Sequence, residues 1–237
     1  MKNFLIMLIV LLLILVGIAT YLGFVPGLSE RFVNRVDLGI ENNPQLSLDL
    51  RNEVGVQFNI PQEQLPTDKD VIYEGVLEIE QSLSSEQITS ILNTVRAELS
   101  SIPFSNVQIR LNADGTAEAT FDLDIETTVN EAKKLGYSDA EIEKGKRYLG
   151  ALGDTVYVYA KLSFDITDNE LTVNPYTFRI QNFNVPTNIT KLVADVGSNA
   201  IEDRLSQVPN LDIKSLKQEG EKLNFSGTIP QSLGVED

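Results

Sequence analysis

The chain has 237 residues, 34 of them acidic against 19 basic, for a formal net charge of −15, a balance that repels nucleic acid. It contains neither cysteine nor histidine. That removes disulfides, thiol nucleophiles, thiolate metal sites, imidazole bases and the Ser-His-Asp triad, while the length still allows a full core without covalent staples.

From Phe4 to Leu28 the chain carries no charge, and a helix of about 20 such residues crosses a hydrocarbon core of about 30 Å. The competing reading is a cleaved signal peptide, with Lys2 as the basic region, an apolar run to Val16 and small residues Gly17 and Ala19. The apolar stretch continues through Tyr21, Leu22, Phe24 and Val25, too long for a signal peptide's core alone, and Pro26 ends it. The expectation is therefore a transmembrane anchor over 1–28 in the cell membrane. A long domain on a short N-terminal stub usually translocates, so the C-terminal domain is expected to be extracytoplasmic. Attachment through a lipidated cysteine is excluded.

Residues 29–70 read as a juxtamembrane connector with a short helix. Asn43-Pro44 supplies a cap and first position, Leu46, Leu50 and Val54 share a face, and Gly55 stops it. From Val71 to Ile79 apolar and polar residues alternate as in a half-buried strand. Ser84 and Gln87 form a capping box, and Ile88, Ile91, Leu92, Val95, Leu99 and Ile102 follow at helical spacing up to Pro103. An Asp-Gly hairpin comes next, turning at Asn112 to Gly115. Its return strand carries Glu118, Thr120, Asp122, Asp124 and Glu126 on one face, read as a solvated acidic row.

Residues 128–150 form a helical interruption broken at Gly136. A long hairpin then runs from Val156 to Ile166, turns at Thr167 to Glu170 and returns to Val185. A second amphipathic helix begins near Pro186, with Ile189, Leu192, Val193, Val196, Ala200, Ile201 and Leu205 on its face. A last hairpin turns near Gly220. A shift of 101 residues sets Ile79, Ile88, Ile91, Leu92 and Val95 on Ile180, Ile189, Leu192, Val193 and Val196, consistent with an internal duplication. The expected fold class is α+β: a transmembrane helix followed by one domain, 71–237, of long curved antiparallel β-hairpins packed on two long amphipathic helices.

No catalytic or metal-binding constellation and no cofactor motif is found. Asn112, Asp114 and Gly115, and likewise Asp165, Asp168, Asn169 and Glu170, read as turns, because they lack the spaced ligands of an EF-hand loop. The long one-sided strands and helices either close on a solid core or leave an apolar groove able to hold an acyl chain. Its candidate lining is Val158, Leu162 and Phe164 below and Leu192 and Val196 above.

The order of anchor, strand, a helix with Ser84, Glu86, Gln87, Ile88, Ile91 and Leu92 in the pattern S-x-E-Q-I-x-x-[IL]-[IL], proline and the Val107-Gln108-Ile109-Arg110-Leu111-Asn112-Ala113-Asp114-Gly115 hairpin resembles membrane-anchored bacterial envelope proteins of the YpmS and LmeA kind. Those are similar to tubular lipid-binding (TULIP-like) domains, in which a long helix lies in a curved sheet. The resemblance covers roughly 71–125, with a fainter echo in 187–229. It implies a non-enzymatic protein that binds a lipid or another apolar ligand near a membrane. The alternative is an envelope scaffold, sensor or protein-interaction module with a filled core.

Overall fold

The structure, a computed structural model, describes residues 33–59, 71–99, 102–134, 136–140, 142–143 and 153–235; for 71, 192, 193, 196, 204 and 235 only the backbone is described. The helices are α1 (Pro44–Val54), α2 (Ser85–Glu98), α3 (Ile125–Lys134) and α4 (Thr187–Ser206). The strands are β1 (Gln57–Asn59), β2 (Val71–Glu74), β3 (Leu77–Leu83), β4 (Phe104–Leu111), β5 (Ala117–Asp124), β6 (Thr155–Thr167), β7 (Glu170–Ile180), β8 (Phe183–Asn184), β9 (Asp212–Glu219), β10 (Lys222–Ile229) and β11 (Ser232–Val235).

The main sheet is antiparallel and runs β3-β10-β9-β6-β5-β4, with β7 and β8 attached beside β6. β6 is its hub. Residues 158–162 pair with both β5 and β7, and residues 165–167 pair with both β9 and β7. A strand has two edges, so β5 and β9 share the edge that β7 leaves free, and the sheet divides there into two arms. Side chains from both arms meet again in one cluster. Leu111, Ala117 and Leu223 form its centre, with Leu83, Ile88, Ile109, Phe164 and Leu216 packed around them. Gly227 marks a close approach of backbone between β10 and β9. A Cβ there would fall on the carbonyl oxygen of Asp212, at the register shift between β10 and β9. A smaller sheet, β1-β11-β2, continues the β3–β10 pair beyond a kink at Gly75, whose φ is +71°.

The edge strand β4 is closed by a helix. Ser85, Thr89 and Asn93 lie at i, i+4 and i+8 on α2. The backbone N–H groups of Leu111, Ile109 and Val107 donate to Ser85 Oγ (2.9 Å), Thr89 Oγ1 (2.9 Å) and Asn93 Oδ1 (3.1 Å), and Asn93 Nδ2 donates back to the Val107 carbonyl at 2.8 Å. Four helical residues rise about 6 Å and two strand residues about 6.6 Å, so the two ladders stay in step. This corrects the expected orientation of α2. The buried residues are Ser85, Thr89 and Ser90, whereas Ile91, Leu92 and Val95 are only half-buried. The apolar stripe is a flank, with Ile88 reaching the core cluster. Its capping box forms as expected, Gln87 N–H to Ser84 Oγ and Ser84 N–H to Gln87 Oε1.

α1 has its expected Asn43 cap, Pro44 start and left-handed Gly55 stop. It packs on α2 and ties to it through a two-pronged Arg51–Glu98 ion pair.

The expected transmembrane fold class, membrane keywords and single-pass localisation are corrected. Among the described residues no helix is long and apolar enough to cross a membrane. α4 has 20 residues but carries Lys191, Asp195, Glu202 and Asp203 along its length. The anchor expected over 1–28 lies outside the described residues. α4 also turns differently from expectation: Thr190 is buried while Ile189 and Ile201 are exposed. The strand–helix–hairpin order does occur twice. However, α2 packs on the strand after it (β4) and α4 on the strand before it (β7), so the two copies share order rather than packing.

Thr89→Val keeps the shape of the side chain but leaves the Ile109 N–H unpaired, and is expected to cost about 1–3 kcal/mol in urea unfolding. A change at exposed Ala97 to Ser should stay within about 0.5 kcal/mol. Gly227→Ala should cost about 3 kcal/mol, because the neighbour it meets is backbone.

Candidate functional site

The outer face of β4, β5, β6 and β7 is polar, and the acidic row expected to be solvated is instead covered. Thr120 and Asp122 are buried. Residues 33–39 cross this face as a strap. Asn34 N–H donates to Asn182 Oδ1, Val36 N–H to Tyr157 Oη (2.8 Å) and Leu38 N–H to Gln108 Oε1 (2.7 Å). Arg35 places Nη1 2.7 Å from Asp122 Oδ1, but that oxygen has no aligned hydrogen bond, so the contact is an ion pair. Asn106, held at a φ of 52°, donates to the other Asp122 oxygen.

Beside it, Glu118 accepts from Tyr159 Oη at 2.7 Å, from Arg110 and from Asn112. Burial alone would raise the Glu118 carboxyl, but these donors outweigh it and hold the group below its ordinary value of 4.5. Burial and the bond to Glu118 push the Tyr159 phenol up to about 12. Asp124 is spent on α3, where its Oδ1 accepts from Thr127 N–H.

Where the strap meets the start of β6, a cleft of about 370 Å³ is lined by Val33, Arg35, Asp154, Thr155, Tyr157 and Gln181. Gln181 is 1% exposed, has a φ of 53° and leaves Oε1 without a hydrogen-bond partner. It opens the two-residue turn between β7 and β8, and its N–H donates to the Tyr157 carbonyl. Positive φ on a residue with a Cβ costs about 1–3 kcal/mol and gathers at functional sites. The Arg35 guanidinium lies over Tyr157 at 5.1 Å from the ring centre, and that of Arg179 over Tyr159 at 5.4 Å and Tyr157 at 6.0 Å.

The apolar candidates lie elsewhere. Val158 is in a core cluster with Ile125 and Val156, flanked by Phe121, Leu123, Phe178 and Ile180. Phe164 packs against the Leu111 cluster, and Leu162 is half-buried opposite Ala117 and Pro175. The side chains of Leu192 and Val196 lie outside the described residues, as does the whole segment 144–152. The hairpin tip at Asp168-Asn169 is a left-handed two-residue turn, and Asn169 is committed to Ile213 and Asp212. Among the described residues no group of three acidic side chains is placed to hold a metal. Comparison with protein-family models, curated proteins and solved structures finds no match.

Stability should fall at both ends of the pH range. The lowered Glu118 pKa contributes stability present above pH 4.5 that is lost as pH drops through the folded value. The raised Tyr159 pKa contributes stability present below pH 10 that is lost as pH rises towards about 12. Tyr159→Phe should remove the alkaline loss and cost about 1.5–3 kcal/mol at pH 7, the range for a hydrogen bond to a charged group; denaturant unfolding across pH reads both.

Proposed function

We propose that the protein is a non-enzymatic binding module with a filled core, which meets its ligand on the polar outer face instead of enclosing an apolar one. The observation that carries this reading is the placement of Val158 inside one core cluster and of Phe164 packed against the other. A groove between helix and sheet would need those side chains to face open space. At the other helix, α2 meets β4 through a hydrogen-bonding stripe. The strong negative charge disfavours nucleic acid as the ligand. The absence of histidine and cysteine removes the commonest nucleophile and base pairs.

Ala160 separates this reading from uptake of a lipid or other apolar ligand. It is buried, and stands between Ala119 of β5 and Phe178 of β7 in register. In a filled core Ala160→Trp overpacks and costs about 1–3 kcal/mol, and the unmodified protein takes up no fluorescent acyl probe. Saturable probe uptake that Ala160→Trp abolishes without loss of stability would establish the apolar-ligand reading in its place.

A further inference from the structure

Two irregularities coincide in one wall of the cleft under the strap, and a third lies two residues back on β7. Gln181 is buried in a strained left-handed conformation, with Oε1 unpaired. Arg179, two residues earlier, has a buried Nε without a partner, and its Nη2 donates only to the Asn34 carbonyl, at 2.9 Å. Among the described residues no carboxylate lies within ion-pair distance of Arg179. Its guanidinium lies instead over the rings of Tyr159, at 5.4 Å, and Tyr157, at 6.0 Å. Buried polar groups are nearly always paired, so an orphaned side chain in the wall of a cleft marks a place where a ligand supplies the missing partner.

The walls define what that ligand is. Arg35, 54% exposed, gives one edge to Asp122 and keeps further N–H groups for a second anion. Asp154, exposed on the same cleft, offers a carboxylate. A simple anion is repelled by Asp154, and a simple cation by Arg35. A small molecule carrying both charges satisfies both walls, with its ammonium also a donor for Gln181 Oε1. At about 370 Å³ the cleft sits at the lower end of the range of about 300–1,000 Å³ for small-molecule sites. We infer that this cleft, formed by Arg35, Asp154, Thr155, Tyr157 and Gln181, is a recognition site for a small zwitterion of the α-amino-acid class. The inference rests on the reading of the protein as a binding module and names the ligand of its outer face.

The test titrates the purified full chain with a panel of free L-α-amino acids covering the side-chain classes, each beside its carboxamide and its N-acetyl derivative, followed by amide NMR shifts. At least one amino acid should give saturable shifts centred on Arg35, Thr155, Tyr157 and Gln181. Both of its derivatives should bind at least tenfold more weakly. Asp154→Asn, a change at an exposed position, should erase the preference over the N-acetyl derivative, and Arg35→Gln should lower affinity at least tenfold. Gln181→Gly relieves the strained φ and the orphaned oxygen, so it should raise Tm while weakening binding. No saturable shift with any of the panel, or equal binding of the derivatives, overturns the inference. The acyl-probe experiment on Ala160 reads the core, so its failure and the failure of this titration are separate results.

Discussion

A β-sheet that stops leaves a row of unpaired N–H and C=O groups, and this fold is arranged around the need to satisfy that row. On β4 the answer is the stripe of Ser85, Thr89 and Asn93, which supplies side-chain partners at the repeat of a missing strand. On β7 the same task is shared by β8 and by Glu202 of α4, whose carboxylate accepts from the Leu171 N–H. Because α2 must meet β4 in register, its position is fixed, and with it the gap between the two arms of the sheet. The cluster around Leu111, Ala117 and Leu223 then fills that gap.

The cover over the outer face follows from the same arithmetic. β5 carries Glu118 and Asp122 on the side away from the core. Left to solvent they would need no partners; under a strap they need several. Arg110, Tyr159 and Asn112 answer Glu118, while Arg35 and Asn106 answer Asp122. The strap therefore docks through charge and backbone hydrogen bonds more than through apolar area, Leu38 being its one deeply buried apolar side chain among the described residues. A seam held mainly by polar contacts opens more readily than a packed core, which suits a place where a ligand binds.

Much of the local structure was legible in the residues. The Ser84–Gln87 capping box, the Asn43-Pro44 start and the turns at Asp114-Gly115 and Asp168-Asn169 are short-range chemistry and form where their residue types require. The faces of the helices were not legible. Hydrophobic periodicity places Ile91, Leu92 and Val95 inward by default, yet a helix against a strand edge is rotated by its hydrogen bonds, and Ser85, Thr89 and Asn93 displace them. The polar stripe at i, i+4 and i+8 was visible as a pattern, but its meaning depended on β4 lacking a neighbour, which is a property of topology. Likewise the alternation of β5 distinguishes two faces without saying that residues some eighty positions earlier cover one of them.

The cleft was the least legible feature for a related reason. Arg35 stood in what read as a connector, Asp154 beside a strand start and Gln181 inside a return strand, with no spacing that joins them. They meet because β6 lies between β5 and β7, so that Tyr157 faces the strap while its carbonyl holds Gln181. Gln181 then bears a conformation that glycine would adopt at lower cost. Folding alone gives no reason to keep a glutamine there: its amide oxygen is unpaired and its backbone is strained. A residue that costs stability twice, at a cleft flanked by opposite charges, is best accounted for by what it contacts when that cleft is occupied.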